Sequence, residues 1–170
     1  PVSRATGTMI AGTVNSGSAS DAATANNASL ILREANTGVS PDQLSLLEYQ
    51  WVFTVPADHL ATLRVKAHHS SNTEGDDFPF TVSTDGGATS QNAVLVSTTT
   101  YTSLVQTYAF NTGTTGQVIV KVVDTDRTPG RSALHNLAID MMALDLGANT
   151  TPTLTVATFS TPSRWLAKSS

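Results

Sequence analysis

The chain has 170 residues, room for one domain and a tail, with only 13% of them charged and a net charge of −4. That balance lacks the basic footprint of nucleic-acid binding or of docking on an acidic membrane, and no apolar run reaches the ~18 residues that membrane insertion as a helix needs. Cysteine is absent, which excludes disulfides, thiolate metal sites and thiol nucleophiles.

The opening, PVSRATG, reads as the start of an excised module or of a mature chain. GTMIAGTV and SLILRE then read as one strand each. SDAATANNAS between them is rich in Ala, but its Asn, Ser and Thr favour loop over helix. In LEYQWVFTV the period is two, with Leu47, Tyr49, Trp51, Phe53 and Val55 on one side and Glu48, Gln50, Val52 and Thr54 on the other. TLRVKAHH continues this, setting Leu63, Val65 and Ala67 against Arg64, Lys66 and His68. Phe78, Phe80 and Val82 form the next inward row, ended by the turn signal STDGG. A strand near Asn92–Ser97 follows, then Val118, Val120 and Val122, then Leu137, Ile139 and Met141. About eight or nine such strands between Gly, Asn and Asp turns predict an all-β fold, an antiparallel two-sheet β-sandwich of jelly-roll type. The module is expected over residues 1–147. Residues 148–170, within and beyond the linker-like LGANTTPT, are expected to form a linker and an extra strand or tail.

Two acidic loops stand out in so charge-poor a chain: Glu74, Asp76 and Asp77, and later Asp124 and Asp126. If the strands between them alternate in direction, both loops reach the same rim of the sandwich. Five carboxylates there repel one another, and Ca²⁺, which accepts six to eight oxygens, suits such a place. The competing reading is turn chemistry, with Asp capping local backbone and Arg127 and Arg131 neutralising Asp124 and Asp126. His68 and His69 point to opposite faces of their strand and so do not share an ion. Glu48 and Asp140 are a carboxylate pair of the kind glycoside hydrolysis uses, but pairing with Arg64, Lys66 or Lys121 accounts for them more simply. Neither Ser motif, GRS or TPS, has the context of a nucleophile elbow. Candidate ligand contacts are Gln50, Arg64, Lys66 and Lys121 on polar strand faces, with Tyr101 and Trp165 as platforms for sugar stacking.

Three stretches, LEYQWVFTV, AHHSSNTEGDDFPFTVSTDGG and VKVVDTDRTPGRSALHNLAIDMMALDL, resemble an accessory β-sandwich module of multidomain secreted bacterial proteins. The match is carried by Asp77-Phe78, Ser83 to Gly86, Asp124 to Thr128 with Gly130, and Ile139-Asp140. It departs at Met141, where His is common in that family, and at Arg131-Ser132-Ala133. The resemblance implies a secreted or extracellular bacterial setting as an appended module, and no activity is carried over from it. A non-catalytic binding module for polysaccharide or cell-surface glycan is the function expected, by analogy with jelly-roll modules. The alternative is a structural one: an adhesin, spacer or filament subunit whose tail, Leu154 to Trp165, pairs with an edge strand of a neighbouring module or another copy.

Overall fold

The computed structural model describes residues 5–71 and 73–149. The strands are β1 (Thr6–Ala11), β2 (Thr13–Ser16), β3 (Leu30–Arg33), β4 (Ala35–Thr37), β5 (Leu44–Leu46), β6 (Glu48–Thr54), β7 (His59–His69), β8 (Phe78–Ser83), β9 (Gln91–Val96), β10 (Gln106–Asn111), β11 (Gln117–Val123) and β12 (Asn136–Asn149). One five-stranded sheet has the order β1-β6-β11-β8-β9 and the other β10-β7-β12-β3-β2, with a small β4-β5 pair beside them. All the pairs are antiparallel. This is the β-sandwich that the period-two pattern predicts. Among the described residues the helical structure is a single 3₁₀ turn, Asp21–Ala23, inside the Ala-rich stretch read as loop. No helix there is long and apolar enough to cross a membrane.

The core lies between the sheets. Trp51, Phe78, Phe80, Leu63, Leu137 and Ile139 are fully buried in it, as their alternation requires. Trp51 stacks on Phe80 with ring centroids 5.9 Å apart and meets Tyr49 at 4.6 Å.

Three local expectations are corrected. GTMIAGTV is two strands: Gly12, at φ 94°, turns the chain so that β1 joins one sheet and β2 the other. In β12 the pairing with β7 slips between Ile139 and Met141, a bulge at Asp140. The alternation therefore changes phase, and Met142 and Leu144 join the core cluster in place of Met141. Finally, β12 runs on to Asn149, into the stretch read as linker. Trp165 and the tail from Leu154 lie outside the described residues.

Candidate metal centre and the Tyr101 ledge

The topology brings the two acidic loops together. Strands β7 and β12 are neighbours in one sheet and β8 and β11 are neighbours in the other. The β7–β8 and β11–β12 connections therefore cross between the sheets side by side. Backbone bonds tie them: the Thr125 N–H donates to the Asp77 carbonyl at 3.1 Å, and the Asp77 N–H to Thr125 Oγ1 at 2.9 Å. The strand over Asn92–Ser97 on which this meeting depends is β9, Gln91–Val96.

The five carboxylates divide by role. Glu74 accepts from the Ala133 N–H at 3.2 Å, and its carbonyl accepts from the Arg131 guanidinium. Asp126 pairs with Arg131 at 2.9 Å, and Asp77 lies 3.9 Å from His69 Nε2. These three clamp the loops. Asp76 and Asp124 point inward and are buried, in the company of Glu34 and His135. His135 Nδ1 lies 2.9 Å from Glu34 Oε2 and 3.2 Å from Asp76 Oδ2. One ligand atom from each of Glu34, Asp76 and His135 falls within 4.8 Å of the others.

Glu34 and His135 were absent from the expected metal set, yet a signal for them exists. Leu30, Leu32 and Glu34 share one phase of β3, and His135 precedes Leu137 and Ile139 in the inward phase of β12. Asp76 stands likewise before Phe78 and Phe80, and Asp124 after Val120 and Val122. Four strands are thus flanked, just beyond their ends, by a buried ionisable residue in phase with their apolar rows. Their convergence makes a polar layer that closes the rim end of the core.

That layer holds its carboxyls out of water and close to one another. Burial pushes the Glu34 carboxyl up to about 8, with Asp76, Asp124 and Glu74 adding to the effect. Burial also raises Asp76, against the Asp126 N–H that donates to it at 2.6 Å. Asp124 Oδ1 accepts from the Leu47 N–H at 2.8 Å and from Arg127 at 3.1 Å. Its Oδ2, like Glu34 Oε1, is buried with no hydrogen-bond partner. Orphaned, buried carboxylate oxygens beside like charges are what a divalent cation satisfies, so the donor set fits one.

The expected ligand contacts fall on opposite sheets. Gln50 and Lys121 face each other across β6 and β11, where Lys121 pairs with Glu48 at 2.8 Å. Arg64 and Lys66 are on β7 in the other sheet, and Arg64 pairs with Asp145 at 3.3 Å. The four therefore do not make one face. Tyr101 does join Lys66: Lys66 Nζ lies 4.7 Å from the centre of the Tyr101 ring and donates to its hydroxyl at 2.7 Å. The hydroxyl in turn donates to Asn27 Oδ1 at 3.4 Å. Asp140, the bulge residue, holds Lys66 at 2.6 Å and accepts from the Asn27 N–H at 3.1 Å. This partner keeps the Lys66 ammonium above its usual range. His68 meets the Tyr101 ring edge-on at 5.9 Å, and burial lowers its pKa. Tyr101 nonetheless remains 59% exposed. Glu48 and Asp140, the hydrolase-like pair, are each taken by a lysine, on different sheets.

No protein-family model matches the chain, and no curated protein matches it. Among solved structures, TmCBM61, a carbohydrate-binding module in complex with β-1,4-galactotriose, is similar with a TM-score of 0.50. The two are 18% identical, over 86% of this chain and 90% of that one. The enzymatically active domain of bacteriophage CBA120 tailspike protein 4 gives a TM-score of 0.44 at 14% identity, over 86% of this chain and 20% of that one. The first likeness is one of fold: a two-sheet sandwich of about this size and no more.

Proposed function

We propose that this chain is a non-catalytic, extracellular bacterial module that binds polysaccharide, with Ca²⁺ in the Glu34–Asp76–Asp124–His135 layer as a structural ion. The Tyr101 ledge carries the binding reading. One face of the ring covers Lys66, its hydroxyl is fixed by Lys66 and Asn27, and the ring is still largely open to solvent. A ring so held loses little entropy when the C–H face of a sugar stacks on it. The sandwich shared with TmCBM61, solved with a galactotriose, supports the same function. Glu48 and Asp140, the pair suited to acid–base chemistry, are each held by a lysine on different sheets, which supports the non-catalytic part. For the ion, the two carboxylates of Glu34 and Asp76, with Asp124 nearby, favour Ca²⁺, while the imidazole gives Zn²⁺ a foothold; Ca²⁺ is the choice because oxygen donors outnumber nitrogen.

Affinity electrophoresis tests the function, with gels containing β-1,4-galactan, xylan, mannan or hydroxyethylcellulose. Retardation by at least one of them is expected, reduced by Tyr101→Ala at unchanged melting temperature. Unretarded migration in all four overturns the polysaccharide reading.

A further inference from the structure

The open edge between the two sheets holds a cleft of about 260 Å³, on the side where edge strands β9 and β10 lie. Its walls include Ser83, Thr84, Thr89 and Gln91 from β8, β9 and the turn between them, and Tyr108 and Phe110 from β10. None of the lining side chains is charged. We infer that this cleft is a second glycan-binding subsite, selective for neutral sugar chains; the inference rests on the polysaccharide reading above and adds a site to it.

Three observations carry it. Tyr108 and Phe110, two residues apart on an edge strand, stack their rings 6.1 Å apart and only 21° from parallel, an aromatic wall that is partly buried against the core. Tyr108 donates its hydroxyl to Gln91 Oε1 at 3.0 Å, which orients the Gln91 amide and leaves that amide's N–H groups to donate elsewhere. The opposite wall is fixed from beneath. Asp85 accepts from Ser83 Oγ at 2.8 Å, from the Thr89 N–H at 2.9 Å and from Thr89 Oγ1 at 2.6 Å. The aromatic wall offers apolar contact for pyranose C–H groups, while hydroxyls and an amide match sugar hydroxyls without charge. The volume is below the ~300–1,000 Å³ of drug-sized sites, so the cleft takes one ring of a longer chain at a time. A uronate would meet no cation there and the Asp85 carboxylate close by.

The test is a titration of the whole ¹⁵N-labelled chain with β-1,4-galactotriose, xylotriose, cellotriose and the acidic trigalacturonate, read as amide shifts. A neutral trisaccharide should move Thr84, Thr89, Gln91 and Tyr108, with trigalacturonate weaker at these positions. Gln91→Ala should weaken binding roughly three- to tenfold, the worth of one neutral hydrogen bond, with an unchanged amide spectrum elsewhere. Shifts confined to Tyr101, Lys66 and His68 would overturn the cleft and keep the polysaccharide reading. No shifts with any of the four would remove both. Equal binding of trigalacturonate in the cleft would refute its selectivity.

Discussion

Trp51 anchors the core, but its indole N–H is buried without an acceptor. Trp51→Ala should therefore cost about 3–5 kcal/mol in chemical denaturation, as truncation of a buried aromatic does. Trp51→Phe should cost clearly less, because the lost N–H makes no bond in the fold. A loss below ~1 kcal/mol for the alanine variant would mean the opposite face of β6 is the buried one. Asp85 offers a second test at this scale. Bonds from Thr89 and then Ser83 hold its carboxyl down to about 2. A carboxylate depressed on folding stabilises above its ordinary pKa, and that contribution is lost as the pH falls through the folded value. An NMR titration of the Asp85 carboxyl should thus have its midpoint near 2, and the turn over Ser83–Thr89 should loosen progressively as the pH falls from 3.8 toward that value. Thr89→Val should return the midpoint toward the ordinary carboxylate range.

Strands are placed here by single residues at their ends and bulges. A Cβ at Gly12 would stand 2.7 Å from the Arg33 carbonyl oxygen, and its φ of 94° disfavours any other residue. Gly12→Ala is expected to cost at least ~1–3 kcal/mol in thermal or denaturant unfolding, because both the backbone and the β3 carbonyl resist it. At the Asp140 bulge the pair with Lys66 is nearly buried, the side chains being 3% and 11% exposed. Asp140→Ala removes the anionic partner of the Lys66 ammonium and should destabilise clearly, whereas Lys66→Met with Asp140→Leu should lose far less. A double-mutant cycle on folding free energy measures the difference. Equal losses from the single and double variants would show that packing, not charge, fixes the bulge.

Across the whole molecule, the rim layer ties together β3, β8, β11 and β12, which belong to both sheets. An ion there acts on global stability. With Ca²⁺ at a hundred times its dissociation constant, the gain is about 2.7 kcal/mol, enough to raise the melting temperature by several degrees. Chelator should remove that gain, Ca²⁺ restore it and Mg²⁺ do less, since Mg²⁺ demands a tighter octahedral shell. Glu34→Gln should abolish the response while changing the metal-free protein little at neutral pH, where burial already keeps the Glu34 carboxyl protonated. A melting curve indifferent to chelator, Ca²⁺ and Zn²⁺ would overturn the ion and leave the neutralisation of these acids to protein groups such as His135 and Arg127.

The period of two, read along the chain, determined the fold class, the inward row of Trp51 and the meeting of the two acidic loops. Alternation is a local property, and strand parity needs only a count of crossings. Sheet membership is decided by long-range pairing, which local pattern does not encode. For that reason only the tertiary structure separated Gln50 and Lys121 from Arg64 and Lys66, and split GTMIAGTV at Gly12. The bulge at Asp140 was hidden because Met141 and Met142 are both apolar, so either phase of LAIDMMALDL looked like a core row. Glu34 was legible as an acid in the phase of Leu30 and Leu32, yet its partners Asp76 and His135 lie 42 and 101 positions further along. Only the packing of the two sheets puts their charges in one layer.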